Sequence, residues 1–192
     1  MIFGLMSDTH GSVSAWNKTI ALFKEANCEY IIHIGDVLYH GPRNPLPDDY
    51  APKELAEYIV KSELPTHIVR GNCDADIDAM ILGLPTLPKV IFEAIEGWKF
   101  LVIHGEEFNN KPELGAFGKT FGADVVLFGH IHIPVFDLQK NGIYVINPGS
   151  CALPKGKGIP SAAVTQVEKG SIQVHFLDIR DGKEFRTETI KK

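Results

Sequence analysis

The chain has 192 residues, of which 44% are hydrophobic and 22% charged, and its formal net charge is −5 at pH 7. These values fit a single globular domain over residues 1–192 and exclude an intrinsically disordered chain. An acidic chain is a poor match for long nucleic acid or an anionic membrane surface, because both select basic faces. The net charge does not exclude a small phosphate ester as a ligand, since local charge can oppose it.

The cysteines and the first residues indicate the compartment. Cys28, Cys73 and Cys151 lie far apart and form no CxxC pair, which argues against a disulfide framework or a zinc ribbon. The opening residues MIFGLMSDTHG contain no basic segment, and their apolar run stops after six residues. We therefore expect no signal peptide, no membrane association and a cytoplasmic location.

Five short apolar runs each end in a turn that carries polar residues. Runs of this length bounded by glycine are typical of buried strands. They are Ile2–Ser7, Tyr30–Ile34, His67–Arg70, Phe100–Ile103 and Val125–Phe128.

The segments between these strands have helical patterns. Apolar residues recur at helical spacing after Ser12, which is a candidate N-cap. A second helix is predicted over Pro52–Lys61 and a weaker one over Lys111–Phe121. Alternating strands and helices predict right-handed crossovers and a mostly parallel sheet.

The second half of the chain favours antiparallel hairpins. Asn141-Gly142 separates two strand-like runs, and Lys169-Gly170 separates two more. Lys183–Thr189 is predicted as an edge strand. The fold class is therefore α/β, with two packed mixed sheets flanked by helices.

Seven residues with metal-ligating side chains follow the five predicted strands. In open α/β sheets the carboxyl ends of the strands converge on one crevice, so these side chains are expected to meet. Imidazole nitrogens together with carboxylate oxygens suit manganese, iron or zinc, and the set is too large for one tetrahedral ion. It is large enough for two ions that share a bridging carboxylate. The residues are Asp8, His10, Asp36, Asn72, His104, His130 and His132.

The motifs that carry these residues resemble those of a known family. In order they are S-D-T-H-G, I-G-D-V, R-G-N-C-D, I-H-G and F-G-H-I-H, and the likeness extends from residue 2 through Ser150. Together they resemble the calcineurin-like metallophosphoesterases, and the loop Gly35–Asn44 is similar to that of the small, cap-less bacterial YfcE-type phosphodiesterases. This resemblance implies an αββα sandwich with a two-metal site.

The resemblance also implies a role for each ligand. Asp8, His10 and His132 would hold one ion, Asn72, His104 and His130 the other, and Asp36 would bridge them. A water activated at the ions, bridging or terminal, would attack phosphorus in line. Two divalent ions are expected, manganese first, with iron, zinc, nickel or magnesium as alternatives.

The candidate catalytic residues are Asn72, His104, His40 and Cys73. Many members of the family carry a histidine at the position of Cys73, and that histidine helps to protonate the leaving group. A thiol is a poor acid toward an alkoxide, so we expect either a preference for good leaving groups or that His40 or a water takes that role. Asp74 is expected to orient a ligand histidine rather than to bind metal.

These observations predict a metal-dependent phosphodiesterase, a phosphoric diester hydrolase that acts on a small phosphodiester. The alternatives are a non-catalytic scaffold of the same fold, like the retromer subunit, or a phosphomonoesterase or nuclease of the same superfamily. The apolar hairpins of the second half leave a homo-oligomer open. Selectivity for a particular substrate is expected from the loops at residues 39–50 and 147–160.

Overall fold

Strands and helices alternate through the first two thirds of the chain, and only strands follow. The computed structural model describes residues 1–192. In chain order the elements are β1 (Ile2–Met6), α1 (Val13–Glu25), β2 (Tyr30–His33), α2 (Pro52–Val60), β3 (Thr66–Ile68), α3 (Asp76–Ile81), β4 (Val90–Ile95), β5 (Trp98–Ile103), α4 (Lys111–Thr120), β6 (Val125–Leu127), β7 (Pro134–Leu138), β8 (Tyr144–Pro148), β9 (Ser161–Glu168), β10 (Ser171–Asp178) and β11 (Glu184–Lys191). No helix combines the length and the apolar character that a membrane crossing requires.

The strands form two mixed sheets. The first has the order β11-β10-β9-β1-β2-β3, in which β1, β2 and β3 are parallel. The second has the order β4-β5-β6-β8-β7, in which β5, β6 and β8 are parallel. The predicted parallel strands therefore divide between the two sheets, three in the first and two in the second, where β8 completes the parallel set.

Three apolar clusters define the layers. The central cluster joins Phe3 and Leu5 of the first sheet to Phe100 and Leu127 of the second, so it lies between the sheets. A second cluster packs helices α1, α2 and α3 on the outer face of the first sheet. The third packs α4 on the outer face of the second. The predicted αββα sandwich is confirmed.

The helix ends follow from local chemistry. Ser12 caps α1 as predicted, because its hydroxyl accepts the backbone N–H of Ala15 at 3.2 Å. Pro52 occupies the first turn of α2, where its missing N–H removes no helical hydrogen bond. The sequence analysis did not predict α3, because six residues are too few to show a helical repeat.

The last three strands lie where the pattern alone did not place them. The hairpin of β9 and β10 joins the first sheet, since β9 pairs antiparallel with β1 along Ile2–Leu5. The C-terminal β11 then forms the edge of that sheet beside β10. Strands from the two ends of the chain, such as Ile2 of β1 and Gln166 of β9, thus pair in the same sheet.

One glycine controls how closely the first helix approaches the sheet. A Cβ at Gly4 on β1 would lie 2.3 Å from the ring of Phe23 on α1, and Phe23 is fully buried. We expect Gly4→Ala to lower the free energy of unfolding by about 1–3 kcal/mol, since the core must expand to admit the methyl group.

Urea denaturation of this variant and of Gly170→Ala would test the expectation. Gly170 lies in the β9–β10 turn, its φ is not positive, and a Cβ there meets nothing within 4 Å. Equal midpoints for the two variants would contradict the close packing of α1 on β1.

Candidate metal centre

The seven predicted ligands all follow the carboxyl ends of parallel strands. Asp8 and His10 follow β1, Asp36 follows β2 and Asn72 follows β3 in the first sheet. In the second sheet, His104 follows β5, and His130 and His132 follow β6. Because the two sheets pack face to face with these ends at one side, the loops meet there.

Five of the seven side chains form a buried cluster: Asp8, His10, Asp36, His104 and His132. His132 Nε2 lies 3.1 Å from Asp8 Oδ1, and His104 Nε2 lies 3.3 Å from Asp36 Oδ2. His10 Nε2 lies 3.7 Å from an oxygen of each carboxylate. Asp8 therefore belongs to two possible ligand groups, one with His10 and His132 and one with Asp36 and His104.

Hydrogen bonds to backbone carbonyls fix the three buried imidazoles. Nδ1 of His10 donates to the carbonyl of Tyr39 at 2.8 Å, and Nδ1 of His104 donates to that of Ile34 at 2.6 Å. Nδ1 of His132 donates to the carbonyl of Leu153. A carbonyl can only accept, so each Nδ1 carries the hydrogen, and each ring in its neutral form turns a bare Nε2 inward.

The Nε2 atoms that face the interior of the cluster are arranged to bind a cation. Nε2 of His10 and Nε2 of His132 lie 3.2 Å apart, and when both rings are neutral neither can donate to the other. Asp8 Oδ1 and His104 Nε2 are buried without any hydrogen-bond partner. Buried polar atoms rarely stay unpaired. A divalent metal ion would satisfy all of these lone pairs, and the mixed nitrogen and oxygen donors suit manganese, iron or zinc.

The charges in the cluster shift its pKa values strongly. Burial raises the pKa of Asp8, but the neighbouring imidazoles of His10 and His132 and the charge of His104 hold it well below the ordinary value. Burial lowers the pKa of His104, but Asp36 and Asp8 outweigh it and raise the pKa to about 10. A metal ion must therefore displace a proton from His104 when it binds.

The backbone of the centre is strained at the ligands themselves. Left-handed φ is uncommon outside glycine, and such residues cluster at functional sites. Only seven non-glycine residues have positive φ, and five of them are predicted ligands: Asp8, His10, Asp36, His130 and His132. Side chains from β8 and the loop after it support this geometry, since Ser150 Oγ donates to the carbonyl of Asp8 and Asn147 Nδ2 to that of Gly129.

Asp74 stabilises the loops rather than an imidazole. Its buried carboxylate accepts the backbone N–H groups of Asp36, Val37 and Gly71 at 2.9, 2.8 and 2.7 Å. The expectation that it orients a ligand histidine is wrong, because its partners are backbone amides. It instead ties the turn after β2 to the turn after β3.

The other two predicted ligands lie at the mouth of the cluster. Asn72 and the half-buried His130 line a cleft of about 210 Å³ that opens above Asp36 and His132. The ring centre of His130 lies 5.3 Å from that of His104, and its backbone N–H donates to Asp8 Oδ2 at 3.2 Å. The structure thus brings five ligands into one cluster and places two at its edge.

Cys73 and His40 lie in different surroundings. Cys73 lines the cleft, and its Sγ is within 4.8 Å of ligand atoms of His10 and Asp36. Burial, reinforced by the charge of Asp36, raises the pKa of its thiol to about 12, so the thiol stays protonated at neutral pH. The ring of His40 packs edge-on against Tyr39 and Tyr50, with ring centres 4.8 and 5.2 Å away. His40 is not among the residues that line the cleft.

Several residues that shape the site were not among its predicted ligands or catalytic residues. The carbonyls of Tyr39, Ile34 and Leu153 orient the imidazoles, and a backbone group leaves no signal in the residue type. Arg43, Asn44 and Lys155 line the cleft. These three residues belong to the loops at residues 39–50 and 147–160, from which substrate selectivity was expected.

Comparisons with known proteins agree with this geometry. A family model for the calcineurin-like phosphoesterase superfamily domain matches residues 1–170. The chain is 38% identical to phosphodiesterase YfcE of Escherichia coli strain K12 over 151 residues, which cover 78% of this chain and 79% of that protein. It is 30% identical to the probable metallophosphoesterase YsnB of Bacillus subtilis over 177 residues, covering 91% and 89%.

A solved structure gives the same answer for the fold. The structure of YfcE, a phosphoesterase from E. coli, superposes with a TM-score of 0.84 at 29% identity and covers 98% of both chains. Taken with the ligand cluster at the carboxyl ends of the strands, these matches show that the chain belongs to the calcineurin-like phosphoesterase superfamily.

Proposed function

We propose that this protein is a phosphodiesterase that depends on two divalent metal ions and acts on a small phosphodiester. The observation that carries the proposal is the buried cluster of bare imidazole nitrogens and carboxylates at the foot of an open cleft. The likeness to YfcE, a phosphodiesterase, supports diesters as the substrate class. Water attacks phosphorus in this scheme, and the alcohol on the opposite side leaves.

The proposed ligands divide into two sets around one carboxylate. Asp8, His10 and His132 would hold one ion, and Asn72, His104 and His130 would hold the other. Asp36 would bridge them. Its position supports this role, because its Oδ2 lies 3.3 Å from His104 Nε2 and 3.7 Å from His10 Nε2. When bound, two divalent ions supply a hydroxide nucleophile near neutral pH and offset the charge on the phosphoryl oxygens. Asn72 and His104 thus count as both ligands and catalytic residues.

The metal proposed first is manganese, with iron, zinc, nickel or magnesium as alternatives. Four imidazoles, two carboxylates and an amide mix borderline and hard donors, which suits manganese and iron and leaves zinc acceptable. Asn72 contributes a neutral oxygen, so the site keeps more positive charge than a third carboxylate would allow.

Protonation of the leaving group is proposed to involve His40 or a water. Cys73 is nearer the cluster, but a thiol with a pKa of about 12 is a weak acid for this task. His40 belongs to the loop that continues into the cleft wall at Gly41–Asn44, so a proton from its ring would travel through a water.

A scaffold without catalysis is less well supported. Seven intact ligands and unpaired buried lone pairs have no use in a protein that binds no metal. We further propose a cytoplasmic setting, because all three cysteines are free. The acidic net charge disfavours a membrane or long nucleic acid as partner, and a homo-oligomer stays compatible with the fold.

Metal dependence is the first test. Hydrolysis of bis(p-nitrophenyl) phosphate by chelated protein should be at background and should rise at least about 100-fold with Mn²⁺, because both nucleophile and charge compensation depend on the ions. The monoester p-nitrophenyl phosphate should react more slowly. Activity that chelator leaves unchanged, or that never appears with any of the five metals, would contradict the proposal.

The bridging role of Asp36 makes a second prediction. Asp36→Asn removes the bridging charge but keeps an oxygen for the N–H of Cys73, which Asp36 Oδ1 accepts at 2.8 Å. Activity with saturating Mn²⁺ should therefore fall by about 100-fold or more while the folded structure persists. Circular dichroism and bound metal per chain should be measured together with turnover.

The matched control for that variant is Asp48→Asn, which neutralises an exposed carboxylate outside the cleft. It should retain full activity. If Asp36→Asn turned over at a rate near that of the Asp48 variant, the bridging assignment would be wrong.

Substrates with different leaving groups distinguish a catalytic acid role of His40 from a structural role in packing. His40→Ala should lower kcat for alkyl phosphodiesters more than for the p-nitrophenyl ester, because only a poor leaving group needs a proton. Thermal unfolding of the variant would report the lost packing against Tyr39 and Tyr50. An equal loss on every substrate would refute an acid role for His40.

A further inference from the structure

Two cationic side chains in the cleft wall have no anionic partner. Arg43 and Lys155 both line the cleft, and both are exposed. None of the fifteen ion pairs of the protein includes either residue, whereas cationic side chains elsewhere form pairs such as Lys24–Glu63 and Lys89–Glu107. Both charges are therefore available to a ligand in the cleft.

The loop that carries Lys155 is anchored to a metal ligand. The carbonyl of Leu153 accepts Nδ1–H of His132, and the backbone N–H of Lys155 donates to the carbonyl of His132 at 3.3 Å. The position of the Lys155 backbone relative to the metal cluster is thus set by two hydrogen bonds to a single ligand residue.

The loop that carries Arg43 is anchored to the opposite wall. Asn44 Nδ2 donates to the carbonyl of His40 at 2.9 Å and closes the turn that contains Arg43. Gly41 in the same turn lies so close to Cys73 that a Cβ would be 2.7 Å from its Sγ. Arg43 therefore stands beside the turn of Asn72 and Cys73, across the cleft from the ligands of the second sheet.

The charge of the cleft exceeds what a simple diester can balance. Two divalent cations with the carboxylates of Asp8 and Asp36 leave two positive charges, which a hydroxide nucleophile and the single negative charge of a phosphodiester together balance. Arg43 and Lys155 add two further positive charges. Asp36 is the only acid that lines the cleft, and its negative charge is already counted with the ions, so these two positive charges stay unbalanced. Complementarity then calls for a substrate with additional negative charge.

The residue types that line the cleft further limit the kind of substrate it can bind. No phenylalanine, tyrosine or tryptophan lines the cleft, and only one of its ten lining residues is hydrophobic. A nucleobase would find no phenylalanine, tyrosine or tryptophan face on which to stack, since the only aromatic rings there are the proposed ligands His130 and His132. An apolar chain would find no apolar wall. A compact, polar and multiply anionic group fits this surface.

We propose that Arg43 and Lys155 form a second anion-binding site in the cleft and that the substrate is a small phosphodiester bearing a further phosphate group. This inference rests on the proposed function, since it takes the scissile phosphate to lie at the metal centre. Arg43 offers a planar fork for two phosphate oxygens, and Lys155 offers a mobile point charge.

The first test measures binding and needs no turnover. Isothermal titration of the Mn²⁺-loaded protein with glycerol 1-phosphate and with glycerol 1,3-bisphosphate should give at least tenfold tighter binding of the bisphosphate. Arg43→Gln and Lys155→Gln should each remove most of that preference. The control Lys157→Gln neutralises an exposed lysine two residues along the same loop, outside the cleft, and should retain it.

Equal binding of the two ligands by the unsubstituted protein would overturn the inference, as would a preference that survives both substitutions. Loss of the preference in Lys157→Gln as well would also overturn it, because general surface charge would then explain the result.

The second test uses a pair of p-nitrophenyl phosphodiesters whose other alcohol is propane-1,3-diol, with its far hydroxyl either free or phosphorylated. The phosphorylated substrate should have at least a tenfold lower KM, and that ratio should collapse in Arg43→Gln and Lys155→Gln. Equal loss on both substrates would place the two cations on the scissile phosphate and overturn the proposal.

The two tests distinguish failure of the second anion-binding site from failure of the proposed phosphodiesterase activity. If neither ester is hydrolysed while the bisphosphate still binds more tightly through Arg43 and Lys155, the proposed phosphodiesterase activity fails and the anion site stands. If both esters are hydrolysed with equal KM, the activity stands and the anion site fails.

Discussion

In the buried cluster, imidazole nitrogens without hydrogens and carboxylate oxygens lie in close contact. The rest of the structure depends on this arrangement. His10 Nε2 and His132 Nε2 face each other at 3.2 Å beside Asp8. Without a cation, such lone pairs repel and lose their hydration, which is costly. The protein nevertheless holds them there, with a carbonyl behind each ring and with left-handed backbone at five ligand positions. Strain of this kind persists only where the surrounding fold over-determines the geometry.

The packing of the two sheets fixes the geometry of the ligands. Three parallel strands in each sheet end at the same side of the sandwich, and the apolar layer between them fixes how their ends face one another. Asp8 and Asp36 come from one sheet, and His104 and His132 from the other. Asn147 of β8 and Ser150 of the loop after it then support the assembly through hydrogen bonds to the carbonyls of Gly129 and Asp8. Neither sheet alone could complete a ligand set.

The sequence predicted the strands, the αββα layers and the residues of the centre, because short buried strands and ligating side chains are both written in residue types. It did not reveal α3, whose six residues are too short to show a period, or the pairing of β9 with β1, which depends on contacts between distant segments. The carbonyls of Tyr39 and Leu153 were equally invisible, since every residue has one. The role of Asp74 was misjudged for the same reason, as its partners are backbone amides.

The anchoring of His10 and His132 has a wider consequence. The loops whose carbonyls hold these rings, at Tyr39 and Leu153, run directly into the segments that carry Arg43 and Lys155. Such loops cannot change freely in evolution to suit a new ligand. A change in their length or path would also displace the carbonyls that orient His10 and His132, and would weaken metal binding. Descendants with altered selectivity should therefore diverge mainly through side-chain replacement at fixed loop length, and insertions there should coincide with loss of cation loading.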